Sequence, residues 1–169
     1  MSDLIPSPVL LAILQNQKNN AVGGGGNNWQ IIMDETLSEL ALEVSFQVPN
    51  DTKEMICFFK SGSAPASSTA YLRSNISGLN SDEVYASFGG SLSNNSISIG
   101  CQKIQLLNSQ YGLVEYSFLY NKELSKTSWA QRLGKPSLLR IDTKSFSFNA
   151  SNTQSGYPVG TRLLVFVRR

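Results

Sequence analysis

The chain contains no histidine, and that absence removes more chemistry than any residue present adds. Ser-His and Cys-His nucleophile pairs and His-based metal sites all need an imidazole, so every such arrangement is excluded. Carboxylates are what remain for acid–base work. Asp34-Glu35 and Asp82-Glu83 are adjacent pairs, and neighbouring residues on a strand point to opposite faces, so neither pair is built to share one substrate. A glycosidase could draw two carboxylates from distant strands, with Glu115 and Asp142 as the candidates. Cys57 and Cys101 each sit in an alternating apolar run. Two cysteines in a chain of this length make no disulfide framework, and buried free thiols are expected rather than a bridge. The run Gly23-Gly24-Gly25-Gly26 lacks the Lys-Ser/Thr that would hold a nucleotide and reads as a tether, not a phosphate loop.

One constellation suits binding better than catalysis. Trp129 stands among Asn121, Lys122, Lys126, Gln131 and Arg132, an aromatic face with hydrogen-bond donors around it, which is what a sugar requires. Trp129, Gln131, Arg132 and Asn121 are therefore the candidate ligand-binding residues. The competing reading of Trp129 is burial at a subunit interface. Trp29, opening the body of the chain, is expected to plug the end of the core. No catalytic residue, metal ligand or cofactor is expected.

The elements that must position these residues fall into two parts on either side of the glycines. In the N-terminal part, Ser7 followed by Pro8 forms an N-cap with proline at the first helical position. Val9 to Lys18 then holds good helix formers, with Leu10, Ile13 and Leu14 on one face. A helix over residues 8–18 is too short to be stable alone, so Leu10, Leu11, Ile13 and Leu14 are expected to anchor it against other subunits or a partner. The domain organisation is a helical arm over 1–22, used for anchoring or trimerisation, a Gly-rich linker over 23–28, and a β-sandwich domain over 29–169.

From Trp29 onward the period of hydrophobicity is two, that of strands with one buried face. Leu40, Leu42, Val44, Phe46 and Val48 alternate with Ala41, Glu43, Ser45 and Gln47, the cleanest such run. Met55-Ile56-Cys57-Phe58-Phe59 is continuous instead, as expected of a central strand covered on both sides. Further strands are expected over 29–33, 70–76, 83–88, 96–107, 112–120, 137–143, 145–149 and 161–167, nine or ten in all. Turn compositions such as Ser-Gly-Leu-Asn-Ser-Asp and Ser-Gly-Tyr-Pro-Val-Gly separate them. Many short strands with regular turns predict an all-β, jelly-roll-like sandwich. Lys122 to Lys135 breaks the rhythm and reads as the longest loop, with Trp129 in it.

Composition narrows the partners. At 41% hydrophobic, 169 residues can bury one sizeable core. Charged residues are 15% of the chain and the net charge is +2, with Lys and Arg scattered. A counterion-release mechanism has little to work with, so nucleic acid is not an expected partner. The start shows no basic region with a cleavage site, and nothing approaches an apolar membrane span, so synthesis in the cytoplasm without membrane insertion is expected.

The order of the parts resembles a known group. Trp29-Gln30-Ile31-Ile32, the alternating Leu42-Glu43-Val44-Ser45-Phe46, the apolar strand Met55 to Phe59, and the ending Tyr157-Pro158-Val159-Gly160-Thr161-Arg162-Leu163-Leu164-Val165-Phe166 are together similar to the small jelly-roll structural domains of bacteriophage virions. In those domains a Pro-x-Gly-Thr turn leads into the final strand. The resemblance covers about Trp29 to Arg169 and implies a homotrimeric, non-enzymatic virion component of the tail-fibre tip or receptor-binding type. Its arm would contact other virion proteins and its body a host surface polysaccharide. A capsid decoration protein and a carbohydrate-binding module without a virion role are the alternatives. The chain departs from long fibres in having no repetitive shaft.

Overall fold

The computed structural model describes residues 29–61, 68–74, 85–92, 96–108, 110–123, 130–134, 137–141, 145–150 and 156–169. The described residues are all-β, with no helix among them, and form eleven strands. These are β1 (Gln30–Thr36), β2 (Glu43–Gln47), β3 (Glu54–Lys60), β4 (Ser68–Ser74), β5 (Tyr85–Leu92), β6 (Ser96–Leu106), β7 (Tyr111–Glu123), β8 (Ala130–Gly134), β9 (Ser137–Arg140), β10 (Ser145–Ala150) and β11 (Arg162–Arg168). They make two antiparallel sheets. The larger has seven strands in the order β1-β11-β3-β6-β7-β8, with β9 also beside β7, and the smaller runs β2-β10-β4-β5.

The two sheets share one core. Met55, Cys57 and Phe59 of β3, Leu163, Val165 and Val167 of β11, and Ile104 of β6 meet Leu72 of β4, Phe88 of β5 and Phe146 and Phe148 of β10 in one buried cluster. Phe59 is its pivot. Its ring meets Phe88 and Tyr157 edge-on, with centroids 5.0 and 5.3 Å apart, the arrangement that aromatic quadrupoles favour. Opposite Phe59 in the register stands Gly100, and a Cβ there would run into the Phe59 ring. The glycine thus makes room for the aromatic, and each such fully buried side chain is worth about 1.5–3 kcal/mol relative to exposure.

β3 is an interior strand and buried along nearly its whole length, as its continuous apolar run predicts. The ending folds as its residues require. Thr161 N–H donates to the Pro158 carbonyl at 3.1 Å and Gly160 has φ +81°, the hydrogen bond and left-handed third position of a type II turn. Gly160 N–H donates to Leu37 O, and Leu37 N–H donates to Thr161 O, so the turn is stitched to the end of β1 before β11 begins.

Three expectations need correction. Lys122 to Lys135 is not one long loop, because β7 extends through Glu123 and β8 occupies Ala130–Gly134; its polar and charged residues hid a strand whose apolar alternation is weak. Leu40 and Leu42 are exposed, since regular pairing in β2 starts only at Glu43 and the chain before it is held by an isolated Ala41–Tyr157 bridge. Trp29 does not plug the core between the sheets: it packs against a second apolar cluster on the far side of the large sheet. The predicted helix over 8–18, its anchoring residues Leu10, Leu11, Ile13 and Leu14, and the 23–28 linker lie outside the described residues.

Candidate functional site

Directly opposed residues in an antiparallel pair share a face, so the register reads out the outer face of the large sheet row by row. Arg168 stands opposite Glu54; Phe166 opposite Ile56, which is opposite Lys103; Leu164 opposite Phe58, which is opposite Cys101; and Arg162 opposite Lys60, which is opposite Ile99. The centre of this face is apolar and both ends are charged. Ile56, Phe58, Cys101, Leu164 and Phe166 form the second cluster, with Trp29 and Ile99 at its margin.

A chain of ion pairs borders the cluster at one end. Lys103 Nζ lies 2.6 Å from Glu115 Oε2 and 3.7 Å from Glu54 Oε2. The Arg168 guanidinium pairs with the other oxygen of Glu54 and lies over the Trp29 ring, 5.6 Å from its centroid, in cation–π range. Glu115 reaches Lys103 because β7 bulges there: Lys103 pairs with Tyr116 and Ile104 with Val114, leaving Glu115 as the extra residue. Such a bulge re-aims a side chain without breaking the sheet.

This network is balanced, two carboxylates against two cations. Glu115 is engaged by Lys103 and Glu54 by Arg168, with Lys103 also 3.7 Å from the buried Oε2 of Glu54. Among the described residues, no three of His, Cys, Asp and Glu are grouped to hold a metal ion. At the opposite end Arg162 turns from Lys60, its register partner, to Asp34. Nε and Nη2 donate to the two Asp34 oxygens at 2.8 and 2.7 Å. This bidentate pair holds the Asp34 carboxyl below its usual range and raises the Arg162 guanidinium.

The cysteines are separated by the same register. Cys57 pairs with Gln102 and Phe58 with Cys101, which puts Cys57 on the inner face and Cys101 on the outer. Both are free and buried. Burial raises both thiols, Cys101 to about 12, with the nearby Cys101 adding to the effect at Cys57. Neither is an available nucleophile at neutral pH.

Of the predicted ligand-binding residues, Asn121 lies in β7, and Gln131 and Arg132 in β8. Pairing sets Asn121 opposite Ala130, Tyr120 opposite Gln131, and Leu119 opposite Arg132, so three of the four lie near one another along the β7–β8 ribbon, with Asn121 and Arg132 at positions of one face and Gln131 at a position of the other. Trp129 lies outside the described residues. The outer-face network of Glu54, Lys103, Glu115, Arg168 and Trp29 escaped the sequence reading. Its one signal was that apolar runs in β3 and β11 are each bracketed by charges, Glu54 and Lys60 in one, Arg162 and Arg168 in the other. Antiparallel pairing of the two runs brings Arg168 to Glu54.

Compared with known proteins, the chain matches no family model, no curated protein and no solved structure.

Proposed function

We propose that this protein is a non-enzymatic structural component of a virion, of the bacteriophage tail-fibre or receptor-binding type, built on a jelly roll that assembles as a homotrimer. The observation that carries the reading is the strand order. A jelly roll is a long antiparallel ribbon rolled up, so of eight strands the first pairs with the eighth, the second with the seventh, the third with the sixth and the fourth with the fifth. Rolling then sets the eighth beside the third and the seventh beside the fourth. With β7, β8 and β9 taken as an excursion between the sixth and seventh strands, these six pairings correspond to β1–β11, β2–β10, β3–β6, β4–β5, β11–β3 and β10–β4. Viral capsid proteins and lectins use this architecture.

The balanced ion-pair network and the two inert thiols favour assembly over catalysis. The low charge of the chain suits contact with copies of itself or with neutral polar partners. The N-terminal residues would contact other virion proteins, and a host surface polysaccharide is the ligand to seek at the β7–β8 ribbon, where Asn121, Gln131 and Arg132 are near neighbours. Light scattering behind a sizing column tests the assembly claim: a molar mass near three chains is expected. A monomer at every concentration would reject it and leave a free carbohydrate-binding module as the better reading.

A further inference from the structure

At one end of the large sheet the inner face carries a row of hydroxyls. Arg162 pairs with Lys60 and Lys60 with Ile99, so one position further Thr161, Ser61 and Ser98 stand side by side, and Ser61 N–H donates to Ser98 O at 2.8 Å. Alternation puts this row on the core side, two positions from Leu163, Phe59 and Gly100. Thr161 is 0% exposed, Ser61 1% and Ser98 1%. Thr161 Oγ1, Ser61 Oγ and Ser98 Oγ are all buried, and none has a hydrogen-bond partner among the described residues. Buried polar groups in folded proteins are paired with protein or with ordered water, so three in one row call for a common explanation.

The small sheet presents short side chains at the same end. Ala150 of β10 pairs with Ala70 of β4, and both pack in the shared core. Ala150 N–H donates to Leu42 O, Tyr157 N–H donates to Ala41 O, and Tyr157 leads through the turn at Pro158 into Thr161, so the alanine pair and the hydroxyl row belong to one end of the sandwich. Sheets stack about 10 Å apart, a gap that alanine from one side and serine from the other do not span. The large rings nearby are committed to one another: Phe59 lies against Gly100 and meets Phe88 and Tyr157. We propose that this end of the interlayer space is a hydration site, where ordered water is held by the hydroxyls of Thr161, Ser61 and Ser98. Opposed Cβ atoms on neighbouring strands are about 4.5–5.5 Å apart, a spacing that one water bonded to two adjacent hydroxyls bridges. Each hydroxyl both donates and accepts, so the row satisfies water without any charged group. The inference is independent of the virion reading.

Oxygen-17 relaxation dispersion of water, measured on the full chain, tests the site, because it counts long-lived internal waters and is blind to exchange of hydroxyl protons. Ser61→Ala/Ser98→Ala leaves Thr161 as the last hydroxyl of the row, short of the two to four partners that an internal water typically has. The dispersion amplitude of this variant is expected to fall by the equivalent of at least one water relative to wild type. An unchanged amplitude would overturn the proposal even if stability falls, since the hydroxyls would then be bonded to protein groups. The urea midpoint of Ser61→Ala, which removes the middle hydroxyl, is expected to fall as well. An unchanged or raised midpoint would overturn the proposal, because removal of an unpaired buried hydroxyl costs nothing or stabilises. Should the double variant fail to fold, the same amplitude comparison on Ser98→Ala and on the isosteric Thr161→Val decides the matter.

Discussion

Among the described residues the inner face of the large sheet meets a second sheet and the outer face meets none, yet the centres of both are buried alike, Phe59 at 0% and Phe166 at 1%. The inner face gains its burial from aromatic packing between sheets, in which Phe59, Phe88, Phe148 and Tyr157 contact one another through edge and stacked geometries. The outer face instead has an apolar centre enclosed by paired charges, Arg168 and Glu54 at one end, Arg162 and Asp34 at the other. A sheet with one solvated face alternates apolar and polar residues, whereas β3 and β11 are apolar at consecutive positions. Their continuous runs therefore report two covered faces, and the two coverings differ in kind.

Truncation of the pivots separates the two most strongly. Phe59→Ala should cost about 3–5 kcal/mol in urea unfolding, because it empties the junction of two aromatic neighbours in a core that cannot collapse around the gap. Phe166→Ala should cost less, about 2–4 kcal/mol, since its register partner Ile31 is 43% exposed and that side of the cluster has freedom to relax. A loss below about 1 kcal/mol at Phe166 would show that the outer face is no core at all.

The charged borders should respond next. Glu54→Gln keeps the shape of the side chain but leaves the Arg168 guanidinium without its carboxylate, while Lys103 retains Glu115. The Glu54 side chain is only 11% exposed, so a loss of about 1–3 kcal/mol is expected by the same unfolding measurement. A neutral outcome would show that the network is held by its surroundings rather than holding them.

Asp34→Asn should have the smallest effect, about 0.2–1 kcal/mol, because the pair is exposed and screened by salt. Its signature is in pH. The folded carboxyl titrates below its unfolded value, so the stabilisation is present above the unfolded range near 3.9 and is lost as pH falls through the lower folded value. Thermal melts of wild type and variant should differ at neutral pH and converge towards acid. A difference that persists in strong acid would assign the effect to packing instead.

Much of the sheet structure was legible in particular residues. Met55 to Phe59 announced a strand covered on both sides, and Pro158-Val159-Gly160-Thr161 announced a turn that only glycine completes easily at its third position. β8 was illegible because Gln131 and Arg132 interrupt its alternation, and a strand at the end of a sheet is specified more by its neighbour's hydrogen bonds than by its own pattern. The packing of Trp29 against the outer-face cluster was illegible for another reason: an aromatic at the start of a strand packs against either face equally well, and only the partner strands decide which.

The sequence by itself determined the all-β class, most of the strand positions, the thiols without histidine partners, and the two-sided burial of β3, because each of these follows from residue type and local period. Tertiary structure alone decided the strand order, the bulge that carries Glu115 to Lys103, the pairing of Arg168 with Glu54 across 114 positions of chain, and the placing of Cys57 and Cys101 on opposite faces. Those depend on register between distant segments, and a one-residue slip would reverse every face while leaving the local pattern unchanged.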